Sequence, residues 1–143
     1  MASGLNRKLS AMVYTRLSTH ADTQPVFGDR IYPIIAPQNT AYPLIVFRRS
    51  NSQAPASLSG TVDRPIVTLE VRVYARSYVA ALDGAEAVRK ALNGYRGTVN
   101  GCTVQRCTYL SENDGAEVPQ DAQMLPDYTV TQAYELRVED DSA

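Results

Sequence analysis

The chain has 143 residues, 44% of them hydrophobic and 20% charged, and a formal net charge of −1. That size and balance suit one globular domain, residues 1–143, that buries its own core without disulfide or metal staples. No apolar run approaches the ~20 residues of a bilayer-crossing helix. The opening Met1–Lys8 has no apolar stretch behind its charges, so neither a membrane span nor a secretory signal is expected.

Leu5, Leu9, Met12, Val13 and Leu17 recur at the spacing of one helical face and predict a helix over 4–19, broken by Ala21–Pro25. Arg30–Ala36 is β-rich but contains Pro33, which cannot donate to a ladder, so an edge strand or extended arm is expected. Leu44–Arg49 is a strand with apolar residues on both faces at its centre, which implies cover from both sides or an interior position in the sheet. Residues 50–64, rich in Ser, Asn, Gly and Pro, predict a long loop. Ile66–Arg76 alternates: Val67, Leu69, Val71, Val73 and Ala75 are expected in the core, and Glu70, Arg72, Tyr74 and Arg76 on a wetter face.

Ser77 is placed to cap a helix over 78–93, and Gly94 to stop it. Asn100-Gly101 predicts a tight hairpin turn into a strand from Cys102 to about Leu110. Residues 112–127, with Pro119 and Pro126, predict a second long loop before a last strand, Tyr128–Glu139, and a frayed tail at 140–143. The order is α, β, β, β, α, β, β. The expected fold class is α+β: a mostly antiparallel sheet with two helices on one face and long hairpin loops.

Little in the chain points to catalysis. His20 is the only histidine and sits at a helix end, so no histidine-based triad has its parts. Cys102 and Cys107 are separated by an odd number of positions, which on a regular strand sets them on opposite faces as reduced thiols. Neither a zinc spacing, a phosphate loop nor an EF-hand is present, so no cofactor or metal is expected. Charge is lopsided: residues 1–111 hold 13 Lys/Arg against six Asp/Glu, and residues 112–143 hold one Arg against nine acids. With an overall pI near 5.8 and no basic run longer than two, sequence-specific DNA binding is not expected. The imbalance instead suits charge-complementary contacts, either within the fold or between unlike surfaces of neighbouring copies.

Two further segments carry a resemblance. Gly28-Asp-Arg-Ile-Tyr-Pro33, followed by Pro43-Leu-Ile-Val-Phe47, and Ala91-Leu-Asn-Gly-Tyr-Arg-Gly97 resemble the tail completion, or tail terminator, proteins of long-tailed bacteriophages, over about Leu5 to Glu139. The resemblance implies a non-enzymatic virion protein of the tail and neck, made in the host cytoplasm. Its copies form a ring, six-membered in that family, which caps the tail tube, stops its growth and meets the head connector while the genome passes through the hole. The alternatives are another neck component, such as a connector stopper, or a small-molecule-binding domain. No catalytic residue is implied. Two roles compete for the acidic segment. Glu112, Asp114, Glu117 and Asp121 either meet Arg48, Arg49, Arg72 and Arg76 of a neighbouring copy or line the hole, where carboxylates let phosphates slide. The long loops are expected to dock on the tube or connector.

Overall fold

The apolar stripe of the first segment does form a helix, α1 (Leu5–Thr19), with Leu5, Leu9, Met12, Val13 and Leu17 buried. The computed structural model describes residues 4–53, 65–117 and 127–140. The Ala21–Pro25 break is shorter than expected, because the chain re-enters a single helical turn, α2 (Gln24–Phe27). Pro25 lies in its first turn, where a missing N–H removes no intrahelical bond.

The strands follow as β1 (Ile31–Pro33), β2 (Leu44–Gln53) and β3 (Ile66–Ala75). After helix α3 (Tyr78–Leu92) come β4 (Gly97–Val99), β5 (Cys102–Glu117) and β6 (Asp127–Asp140). They form one sheet in the order β1-β2-β3-β6-β5-β4. Every pairing is antiparallel except the short parallel contact of β1 with β2. The α+β reading holds. Ser77 caps α3 by accepting from the Ala80 N–H, and Asn100 and Gly101 both take positive φ at the β4–β5 turn.

Both main helices pack on one face of the sheet. Leu9 and Val13 of α1 surround the same hollow as Phe47 and Leu69. On α3, a Cβ at Gly84 would stand 3.0 Å from Val73 and 2.9 Å from Phe27, so glycine lets the helix lie close on β3. The Arg16 Nε donates to the Ala91 carbonyl at 2.8 Å and ties the two helices together. As alternation predicts, Val67, Leu69, Val71, Val73 and Ala75 are all buried beneath them. The opposite, outer face of β2 is covered by an arm, residues 34–43, which overlies Leu44 and Val46. That supplies the two-sided cover expected of β2. The arm begins at Ile34, which has left-handed φ of 68° and is exposed, as is Ile35.

Three expectations need correction. Residues 51–53 are strand, paired with 66–68. Glu112–Glu117 are also strand, paired in register with Asp127–Gln132. Their Gly, Asn and Asp favour turns, but a continuous ladder with an already formed neighbour satisfies their backbone groups instead. The remaining parts of the two expected loops, 54–64 and 118–126, and the tail 141–143 lie outside the described residues. Cys102 and Cys107 do not face opposite sides: both are buried in the core. A register shift between Val104 and Arg106 inserts one extra residue, and a bulge of that kind returns an odd separation to the same face. Burial pushes the Cys107 thiol up to about 12.

Candidate assembly surface

Sheet alternation sorts the charged residues singled out in the sequence onto two faces. Arg48, Arg72 and Arg76 point to the outer face and form an ionic ladder with carboxylates of the same chain. Arg48 meets both carboxylate oxygens of Glu70 at 3.2 Å. Arg72 lies between Glu70 at 3.8 Å and Glu117 at 3.6 Å, and donates to the Thr131 hydroxyl at 3.1 Å. Arg76 pairs with Asp127 at 3.2 Å and stacks 4.0 Å above the Tyr42 ring. The Tyr42 hydroxyl donates to the other oxygen of Asp127 at 2.8 Å. Burial, and then that hydrogen bond, push the Tyr42 phenol up to about 12. Such partly exposed pairs add little stability singly, but together they hold the arm, β3 and the β5–β6 hairpin to one geometry.

Glu112 and Asp114 lie on the helix face. Glu112 accepts from the Gln132 side-chain amide at 2.9 Å, and Asp114 accepts from the Tyr78 hydroxyl at the start of α3. That bond pushes the Tyr78 phenol upward. Gln132 is fully buried, and it also donates to the Ala85 carbonyl at 2.9 Å and accepts from Tyr134 at 2.8 Å. Neither Glu112 nor Asp114 has a cation within ion-pair distance among the described residues. Arg49, also unpaired among the described residues, is exposed beside the hollow of about 270 Å³ between α1 and β2. Asp121 lies outside the described residues.

The seven predicted residues that are described therefore make no single surface. Odd and even positions of each strand part company, so Glu117 leaves Glu112 and Asp114, and Arg49 leaves Arg48. Sequence reasoning missed Tyr42, Asp127 and Gln132. The signal for Gln132 was legible: it is one amide in an otherwise apolar alternation, Val130 to Val138. No comparable signal joins Tyr42 to Asp127, 85 positions apart. Among the described residues, no three His, Cys, Asp or Glu side chains converge as metal ligands would. His20 serves locally, its Nδ1 accepting from the Asp22 N–H just past α1.

Comparison with known proteins adds two findings. Residues 11–124 match the family model described as tail completion protein gp17. A chain in the solved structure described as the virion of a native gene transfer agent (GTA) particle superposes with a TM-score of 0.73 and 17% identity. The alignment covers 96% of this chain and 99% of that one, and at this identity it speaks to the fold. No curated protein sequence matches.

Proposed function

We propose that this chain, which belongs to the tail completion protein gp17 family, closes into a ring that caps the tail tube, ends its polymerisation and joins the tail to the head connector. Family membership makes it a structural protein of the phage tail, located in the virion. The match over residues 11–124 carries the finer reading. The molecule supports it physically. A ring needs two different margins on each copy, one to meet the other, and this sheet ends in unlike margins, β1–β2 on one side and β5–β4 on the other. A hole for DNA also calls for few free cations, since phosphate affinity rises with each Lys or Arg contact. Arg48, Arg72 and Arg76 are each held by a carboxylate of their own chain.

The test is assembly in a tube. Purified protein added to polymerising tail tube subunits should limit tube length, and electron micrographs should show rings at one tube end. Tubes that grow to the same length with and without it would sink the terminator reading; rings bound to connectors and absent from tubes would favour a stopper in its place. Deleting part of residues 52–60, beyond the paired end of β2, tests the docking role of that segment: folded protein that no longer joins heads to tails is the expected result.

A further inference from the structure

Each margin of the sheet is left partly open. β1 pairs with β2 only at Ile45, Val46 and Phe47, so the outer edge of Arg48–Gln53 has no strand beside it among the described residues. β4 likewise pairs with β5 only at Cys102, Thr103 and Val104. Beyond the first bulge, β5 runs on to Glu117 as an edge, and every residue from Leu110 to Glu117 is exposed. Long unpaired edges with exposed apolar groups are templates for another strand. Leu110, at 49% exposure, lies on this edge, and Tyr78, at 45%, stands over it.

Resting on the ring reading above, we propose that the open edge of β5, Leu110–Glu117, of one copy pairs with the open edge of β2, Arg48–Gln53, of the next, so that the sheet continues across the subunit boundary. Three independent features agree. The first is charge. Among the described residues, Arg49 and Arg7 by the β2 edge and Glu112 and Asp114 on the β5 edge have no ion pair, so the two margins carry opposite unpaired charges. The second is sidedness. Arg49 registers with Leu69 on the helix face, and Glu112 and Asp114 register with Gln132 and Val130 on that same face. A rotation that joins the edges keeps helix faces on one side, so these charges meet. The third is strand sense. β5 to β6, β6 to β3 and β3 to β2 are all antiparallel, which makes β2 antiparallel to β5. Rotation about an axis running roughly along the strands preserves sense, so β2 meets the next β5 in the antiparallel arrangement of the rest of the sheet. The apolar hollow beside Arg49, floored by Leu9, Val13 and Phe47, receives apolar side chains of the incoming hairpin.

Charge reversal tests this. Arg49→Glu and Asp114→Arg lie at exposed positions, so both variants should fold with unchanged circular dichroism, and each alone should lose the rings seen by electron microscopy and sizing. An equimolar mixture should regain them, because the altered edge of one variant complements the altered edge of the other and the remaining edges are native. An Arg49→Cys/Asp114→Cys variant provides a second readout. Within one chain β2 and β5 are three strand spacings apart, ~14 Å, beyond the ~7 Å limit for a disulfide. Oxidation should therefore yield a ladder of cross-linked copies. Rings that persist in both reversed variants, or that form with no cross-linked ladder, overturn the edge pairing and leave the ring reading intact. If the unaltered protein forms no ring, alone or on tail tubes, the ring reading itself fails.

Discussion

β6 and the second half of β5 lie side by side, hydrogen-bonded in register from Glu117–Asp127 to Ser111–Ala133. Yet Val130, Gln132 and Tyr134 of β6 are fully buried, while Ser111–Glu117 are exposed on both faces. The ladder is shared, so hydrogen bonding does not set the difference. Position does: β6 has strands on both sides and α3 over it, whereas distal β5 is a margin reached only by Tyr78 at the start of α3. One strand stabilises the monomer, and its neighbour is left available for another role.

That contrast can be broken by substitution. The largest effect is expected at Tyr134, whose loss to alanine should cost about 3–5 kcal/mol, typical of a buried aromatic ring, in denaturant unfolding. Next comes Gln132→Leu, which leaves the Ala85 carbonyl and the Tyr134 hydroxyl without their partner, expected at about 1–3 kcal/mol. Gly84→Ala should cost about 1–2 kcal/mol despite a better helix propensity, because the added carbon overlaps Phe27 and Val73. Thermal melts of all three against wild type would check the order.

A pH titration sharpens the comparison at the arm. The Tyr42 phenol is raised from 10.0 to about 12 in the folded chain, so the folded state holds its proton more tightly. Its contribution is present below pH 10 and lost as pH rises from 10 toward 12. Tyr42→Phe should flatten that part of the alkaline unfolding curve; a curve identical to wild type would mean the Tyr42–Asp127 contact does not persist in solution. The smallest effect is expected on distal β5, where Asn113→Ala should change stability by less than ~0.5 kcal/mol. A cost comparable to Gln132→Leu there would erase the distinction between the two strands.

The elements that alternation or helical spacing controls were legible in the sequence. α1, β3 and α3 stand almost where the pattern sets them, because a buried stripe writes its period into the residue types. Distal β5 was not legible, since Ser, Glu, Asn, Asp and Gly in succession leave no apolar period when neither face is covered. The cysteine faces were lost to a bulge, which shifts phase by one residue without a fixed sequence mark. The charge asymmetry was visible, and part of it is satisfied within the fold, where Arg72 meets Glu117 and Arg76 meets Asp127. Arg48, Arg72 and Arg76 are neutralised within their own chain, whereas Arg49 and Arg7 have no ion pair among the described residues.

Ile34 gives this arrangement a single point of control. A β-branched residue in the left-handed region is disfavoured by about 1–3 kcal/mol and breaks the regular extended path of a strand. It follows directly on the three residues of β1, where the chain turns over the outer face toward Leu44. Were the backbone extended there, the following residues would run on beside Arg48 and seal the border of the sheet. On the edge-pairing proposal, this one torsion is what leaves the seam free for the next tile.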